Sequence, residues 1–431
     1  MPEERTMHAL PSLSVVIPTY NRCGALADTL ESLALQRTSS DRFEVIVSDD
    51  GSTDATFDLC RAFRERLPLR YRYQQDVGYR AGAARNGGAR LAAAPLLAFL
   101  DAGTLASPDL VEQHLRAHAR GPATGLAVAG YAYGYRLWNR HTDLAGILRD
   151  STPEAVVARH GDDPAFWDWR HEALAAFAFD LSGYATPWQV FWTMNCSVRA
   201  EDFWRAGGFR ESYARWGLED IELGLRLFRA GVPITFSREA WSIESPHERD
   251  VEKNLLSNRI NLAEFVDEYR DDPLAELTWA VFTEEGEPFE LERVYRDFLA
   301  WTRQAREVDV RAELSPGLPV RPGRLAVIGC GAALPADLPD AELFEFDETL
   351  EPDTGGGRHQ LHRAIGLRTP LPPQSMDLVV VTSRLDGLRD RWGDRLLAEA
   401  HRIGRRVIVT PAAGPSAAPG PGPAPALPSQ R

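Results

Sequence analysis

Within the first hundred residues, short continuous apolar runs alternate with helix-like stretches, and this alternation leaves few architectures open to the chain. Leu13–Ile17, Phe43–Val47, Arg70–Tyr73 and Pro95–Leu100 read as strands, and Gly24–Leu35, Asp54–Arg66 and Arg80–Ala93 read as helices between them. Apolar runs without alternation suit strands covered on both faces, as in a parallel sheet. Strand–helix–strand units in such a sheet cross over with a right hand. Ligands then bind in the loops beyond the carboxyl ends of the strands. Three polar clusters stand at those ends: Pro18-Thr19-Tyr20-Asn21, Asp49-Asp50-Gly51-Ser52 and Asp101-Ala102-Gly103.

The chain of 431 residues has room for two domains, and its 44% hydrophobic content is enough to bury a core without staples. From about Leu137 to Gln189 the pattern is irregular and rich in Trp. Order resumes at Val190–Arg199 and in a helix after Glu219, followed by amphipathic stretches near Val251–Tyr269 and Leu291–Arg306. Pro316–Pro322 reads as a linker, and a second strand–helix alternation starts at Arg324. The Pro/Ala/Gly tail has too little apolar surface to fold. The expected organisation is an α/β protein with an N-terminal extension over 1–11, a main domain over 12–250, a helical extension over 251–315, a small Rossmann-like domain over 323–410 and a disordered tail over 411–431.

A net charge of −14 argues against a general nucleic-acid or acidic-membrane surface. A phosphate-bearing ligand would need a local cluster of Arg, backbone amides or a metal. Cys23, Cys60, Cys196 and Cys330 are scattered without metal-ligand spacing, which suits a reducing compartment. Met1–Leu10 lacks the apolar run of a signal peptide, and no stretch approaches the ~20 apolar residues of a membrane helix. These features read as a soluble, cytoplasmic protein without nucleic-acid or membrane partners.

Each strand-end cluster has a plain structural reading and a chemical one. Asp49-Asp50-Gly51-Ser52-Thr53-Asp54 could be a capped turn, or a carboxylate that accepts from a nucleobase and ribose. Asp101-Ala102-Gly103 could be a turn, or a carboxylate for a divalent ion bridging two phosphates. Arg80 and Arg85, with Gly78, Gly82 and Gly87 around them, lie where guanidinium forks could reach diphosphate oxygens.

Together, Val15-Val16-Ile17-Pro18-Thr19-Tyr20-Asn21-Arg22, the Asp49–Asp54 segment and Gly82-Ala83-Ala84-Arg85-Asn86-Gly87 resemble glycosyltransferase family 2, with the GT-A fold. The resemblance implies that Pro18, Thr19, Tyr20 and Asp50 bind the donor nucleoside, usually uridine. It places Arg80 and Arg85 nearer the ribose and diphosphate, and Asn195 in the donor-sugar loop. Gly207-Gly208-Phe209, Arg215-Trp216-Gly217-Leu218-Glu219-Asp220 and Pro246-His247-Glu248-Arg249-Asp250 look like the C-terminal half of galactosyltransferase-type enzymes. That likeness implies acceptor contacts at Trp216, Gly217 and Glu219, a base at Asp220 with Glu219 beside it, and a metal ligand at His247.

Direct attack by an acceptor hydroxyl on an anomeric carbon needs a carboxylate to take its proton, and single displacement inverts the carbon. The start of a helix would lower the pKa of Asp220, and its neighbour Glu219 would raise it. The usual Asp-x-Asp metal motif is here Asp101-Ala102-Gly103, so one carboxylate is missing. Asp101 and His247 are the candidate ligands for Mn²⁺ or Mg²⁺, and an imidazole favours manganese. Seven of eleven tryptophans fall between Trp167 and Trp241. Trp204 and Trp241 are expected in the core, and Trp216 and Trp192 are candidate platforms for sugar rings.

Arg324–Gly331, with its glycine turn, and the strand ending in Glu345-Phe346-Asp347 resemble a truncated class I methyltransferase. The plainer reading is a domain kept for packing or for joining copies into a homo-oligomer. The expected activity is metal-assisted, inverting transfer of a glucose- or galactose-type hexose from a UDP-sugar to a hydroxyl of a small soluble acceptor such as an aminocyclitol. A nucleotidyltransferase and a non-catalytic nucleotide-sugar binder are the rival readings.

Overall fold

The computed structural model describes residues 10–122, 125–135, 147–148, 151–246, 250–284, 289–315 and 323–410. The chain divides into two compact units, one of Met1–Phe265 with Glu285–Arg293 and one of Val266–Glu284 with Val294–Arg431.

The first unit begins β1 (Leu13–Thr19), α1 (Cys23–Ala34), β2 (Phe43–Asp49), α2 (Thr56–Phe63), β3 (Leu69–Tyr73), α3 (Ala81–Leu91) and β4 (Leu96–Leu100). Strands β2 and β4 are buried along their whole length, as expected where both faces of a sheet are covered. Then come β5 (Thr104–Ala106), α4 (Leu110–Arg120), β6 (Ala127–Tyr133), α5 (Pro153–His160), α6 (His171–Ala175), β7 (Asn195–Arg199), α7 (Ala200–Arg205), α8 (Glu219–Arg229) and β8 (Ile234–Glu244). Helix α9 follows over Val251–Glu268.

The eight strands form one sheet in the order β3-β2-β1-β4-β7-β6-β8-β5. β1 to β4 run parallel, while β7 is antiparallel to both of its neighbours. This is the GT-A architecture. Register does the rest: Thr19 pairs with Asp49 and Asp49 with Tyr73, so β1, β2 and β3 end level. Leu100 pairs with Asn195, which sets Asp101 beside the turn that precedes β7. The strand order reverses between β1 and β4, the place where open α/β sheets bind ligands. The core under this edge includes Leu13, Val15, Ile17, Val45, Val47, Ala98 and Leu100, with Leu26 and Leu30 of α1.

Two tryptophans depart from the expected core. Trp204 stays 37% exposed, because α7 buries Asp202 and Phe203 instead, and the Arg90 guanidinium covers its ring at 5.5 Å. Trp241 is half-buried beside Tyr133, at a ring separation of 6.0 Å.

The second unit carries α10 (Pro273–Thr283), the body of α11 (Glu290–Ala305), five strands and α12 (Asp386–Ile403). Its strands are β9 (Leu325–Ile328), β10 (Ala341–Phe344), β11 (Gln360–His362), β12 (Leu378–Val381) and β13 (Val407–Val409), all parallel, in the order β11-β10-β9-β12-β13. This is a Rossmann-like sheet, and Gly329 and Gly331 turn at its edge with φ of +80° and +70°. The strand-end acid is already occupied: the fully buried Arg384 guanidinium pairs with Glu345, which also accepts from the Gly331 N–H at 2.7 Å. Asp347, at the same edge, is held by Arg306 at 2.8 Å. The linker and tail expected from sequence, 316–322 and 411–431, lie outside the described residues.

Candidate active site

At the ends of β1 to β3 the sequence produces a tight polar turn. Asp49 accepts from the N–H groups of Gly51 (3.1 Å) and Ser52 (2.7 Å) and from the Tyr71 hydroxyl (2.7 Å). Its role is therefore to fold the turn. Gly51 has φ +99°, and a side chain there would run into Asp76. Asp50 points the other way, accepting from the Arg80 N–H at 2.8 Å and from the Gln74 amide. Its own N–H donates to the Thr19 carbonyl at 2.9 Å, which joins the first two motifs into one pocket wall. The Thr19 hydroxyl is buried without a hydrogen-bond partner in the protein, and Arg80 Nε lies 3.9 Å from Asp50 Oδ1. Tyr20 is 46% exposed with its hydroxyl on Asp76 at 2.9 Å, and Pro18 is half-buried behind it.

The second group of residues is built around one guanidinium. Arg85, buried on α3, donates to Asp101 Oδ1 at 2.8 Å and to Glu219 Oε1 at 3.0 Å. Burial opposes its charge, but Asp101 and Glu219 more than compensate and raise its pKa. This departs from the expectation that Arg85 reaches the donor diphosphate: both of its terminal nitrogens are engaged by carboxylates. Asp101 remains 43% exposed, and Glu219 Oε2 is buried without a partner.

Glu219 and Asp220 open α8. The Leu218 backbone takes φ +76° and Gly217 φ +96°, and a side chain at Gly217 would meet Asn258 Oδ1 at 2.8 Å. The Asn261 amide binds the carbonyls of Arg215, Trp216 and Gly217, at 2.6 Å for the last. The half-buried Trp216 thus sits on a clamped turn. Asp220 accepts from the Ile221 N–H at 2.8 Å and from the Thr193 N–H at 3.4 Å. Burial pushes its carboxyl up to about 7 and the Glu219 charge adds to the rise, while Arg85 and the two N–H groups hold it back. The neighbouring acid expected from sequence, joined by desolvation, prevails over the helix start.

Two further residues lie elsewhere than expected or beyond view. Asn195 is 1% exposed and its amide is consumed inside the sheet, binding the Ala240 carbonyl (2.8 Å), Ser242 Oγ (3.1 Å) and His114 (3.0 Å). It faces the interior because it is the first residue of β7, and no polar atom is left for a donor sugar. His247 lies outside the described residues.

Sequence reasoning missed Tyr79. The ring is 41% exposed, while desolvation of its hydroxyl and the charges of Glu219, Asp101 and Asp220 raise the phenol well above the ordinary range against the opposing charge of Arg85. Being adjacent to Arg80, it connects the turns at the ends of β1 and β2 to the carboxylate cluster. Its sequence neighbours Gly78 and Arg80 form no motif with it, so only the fold reveals it. Among the described residues no three His, Cys, Asp or Glu side chains are grouped to hold a metal. What the described residues offer is Asp101, exposed with one oxygen engaged, which fits an ion completed by the oxygens of a ligand.

Glycosyl transferase family 2 matches residues 14–172, and the N-terminal domain of galactosyltransferase matches residues 175–247. Validoxylamine A glucosyltransferase of Streptomyces hygroscopicus subsp. limoneus is 48% identical over 413 residues, covering 93% of this chain and 90% of its own. This chain is a family 2 glycosyltransferase. The validoxylamine A glucosyltransferase of S. hygroscopicus subsp. jinggangensis is 47% identical over 93% of this glycosyltransferase and 97% of its own length. YfnE, an uncharacterised glycosyltransferase of Bacillus subtilis, is 32% identical over 60% of this chain and 70% of its own. Among its described residues, no helix is long and apolar enough to cross a membrane.

Proposed function

We propose that this glycosyltransferase moves a glucose-type hexose from a uridine-diphosphate sugar to a hydroxyl of an aminocyclitol acceptor, with inversion at the anomeric carbon. The observation that carries the reading is Asp220: a carboxyl with its proton affinity raised to about 7, which accepts from the Thr193 N–H beside Met194, whose carbonyl accepts from the Asp101 N–H. The names of the two Streptomyces relatives supply the acceptor class and the sugar.

In this reading the nucleoside lies against Thr19, Tyr20 and Asp50, and the Arg80 N–H keeps the Asp50 carboxylate aimed at it. Asp220 takes the proton of the acceptor hydroxyl as that oxygen bonds to the anomeric carbon, and the carbon–oxygen bond to the diphosphate breaks. A proton affinity near neutrality matches the working pH of a general base, which must be ionised before the step and protonated after it. Arg85 holds Glu219 and Asp101 in place and offsets part of their charge. A divalent ion, Mn²⁺ or Mg²⁺, would be held by Asp101 and by donor oxygens and would stabilise the departing diphosphate. The test is incubation with UDP-glucose, UDP-galactose and validoxylamine A. Release of UDP together with a new glycoside of inverted anomeric configuration by NMR is expected. UDP release without a glycoside would overturn the acceptor.

A further inference from the structure

Four aromatic rings of the first unit meet beside the catalytic turn without sealing themselves into the core. Trp192 lies 5.3 Å from Tyr135, 6.1 Å from Trp169 and 6.0 Å from Phe289, and Trp169 lies 6.0 Å from Phe289. All four are half-buried, whereas Trp188, Phe166, Phe191 and Tyr131 nearby are 1% exposed or less. The Trp169 N–H donates to the Tyr135 carbonyl at 3.0 Å, so two of the rings are fixed to each other through the backbone.

The support beneath Trp192 is charged but neutral overall. Arg170, fully buried, places its guanidinium 4.5 Å from the Trp192 ring centre and is paired with the equally buried Asp168 at 2.6 Å. One face of Trp192 is therefore taken, and a ligand meets its edge together with the rings of Trp169 and Tyr135. The residue after Trp192 is Thr193, whose N–H reaches Asp220. The cluster thus begins one residue from a contact of the base.

Charge decides what kind of ring belongs there. Asp101, Glu219 and Asp220 face a single guanidinium, Arg85, so the cluster borders a region of net negative charge. Aromatic faces attract cations as well as the apolar C–H faces of cyclic polyols. We infer that Tyr135, Trp169, Trp192 and Phe289 form the acceptor subsite, built for a polyhydroxylated ring that carries a protonated amine. Such a site selects an amine-bearing acceptor over a neutral saccharide of the same size. The inference rests on the proposed acceptor class, and adds the residues and the charge that select it.

The experiment reads binding apart from transfer. Validoxylamine A, and trehalose as a neutral two-ring polyol, are titrated calorimetrically into the protein saturated with UDP. Each titration is repeated on Trp169→Leu, Tyr135→Leu and the remote surface variant Trp204→Leu, with UDP affinity showing that each variant is folded. The amine-bearing ligand binds the parent at least tenfold tighter than trehalose. Trp169→Leu and Tyr135→Leu remove most of that preference, and Trp204→Leu keeps it. Equal affinity for the two ligands, or a preference unchanged in both subsite variants, overturns the inference. If the amine-bearing ligand binds with the stated pattern and receives no hexose, the subsite stands and the proposed function fails. If hexose transfer occurs while the variants keep the parental preference, the function stands and the subsite fails.

Discussion

Arg85 donates to Glu219 at 3.0 Å across 134 residues of sequence, from a position almost completely shielded from solvent. Through its other terminal nitrogen the same guanidinium holds Asp101. The strand-end acid and the acidic pair at the start of α8 are thereby one assembly, and disturbing its centre should register at both ends.

Replacement of Arg85 by Lys tests this. Lysine keeps the charge but cannot serve two carboxylates with a planar fork. We expect kcat to fall about 10- to 100-fold, ~1.4–2.8 kcal/mol of barrier, and the acid limb of the pH–rate profile to move upward, because Arg85 is one of the groups that hold the Asp220 pKa down. Stopped or steady-state kinetics between pH 5.5 and 9 would show both effects. A variant with reduced kcat and an unmoved acid limb would separate Arg85 from Asp220.

Asp220→Asn should lower kcat more than 100-fold, ~2.8 kcal/mol, while UDP-sugar affinity stays within a factor of about two, because the base acts only in the transition state. In the parent protein, kcat/KM should rise about tenfold per pH unit below about 7 and level off above it. Stability runs the opposite way. The folded pKa of Asp220 is raised, so its favourable contribution is complete below the unfolded pKa near ~3.9 and is lost as pH rises through about 7. At pH 8 the Asn variant should therefore melt a few degrees above the parent, on the order of 1 kcal/mol. An unchanged or lower melting temperature would show that Asp220 is not destabilised when ionised.

How much of this could be read from the chain depends on distance along it. β1 to β4 and the acids at their ends are local features: an apolar run, then Asp49-Asp50 or Asp101. They are legible because a strand and its terminal turn share one stretch of sequence. The partner of Arg85 is not, since a guanidinium beside glycines looks available for phosphate until α8 is folded against α3. Asn195 misleads for a similar reason. The family resemblance places it in a loop, but pairing with β4 makes it the first residue of an interior strand, where His114 and Ser242 consume its amide. Tyr79 and the ring cluster at Trp192 depend on residues brought from different elements, which no short window of sequence contains.

Asp50 should dominate nucleotide affinity. It is 6% exposed, and its carboxylate is oriented by the Arg80 N–H. Asp50→Asn keeps the size of the side chain but leaves the Arg80 N–H with a weaker acceptor and turns a carboxylate into an amide. UDP binding measured by calorimetry should weaken at least tenfold, ~1.4 kcal/mol. Free uridine should lose as much, which distinguishes a contact to the nucleoside from one to the diphosphate.

Asp101→Asn should raise the Mn²⁺ concentration needed for half-maximal transfer, with the larger effect when donor is scarce. The described residues supply one exposed carboxylate there, so donor oxygens must complete the coordination shell. Mn²⁺ titrations with and without UDP, read by electron paramagnetic resonance, should show tight binding only in the ternary mixture. Full activity of the parent in excess chelator would exclude a metal from the reaction.

The Glu345–Arg384 pair in the second unit makes a prediction about both stability and ligand choice. Both side chains have no solvent exposure, and Glu345 also accepts the Gly331 N–H at the glycine turn. A ribose-binding acid in a Rossmann-like cleft must be free to accept hydroxyls, and here its oxygens face a guanidinium of the same chain. S-adenosylmethionine should therefore leave the melting temperature unchanged at millimolar concentration, where a ligand of micromolar affinity would stabilise by ~4 kcal/mol. Removing one partner strands a buried charge, so Arg384→Met and Glu345→Gln should each cost about 3–5 kcal/mol. The double variant should recover much of that loss, since a buried pair replaced as a unit leaves no charge unpaired. Denaturant melts of the four proteins form the cycle. If the double variant is as unstable as the sum of the singles, the two residues act independently and the pair is not what fills the cleft.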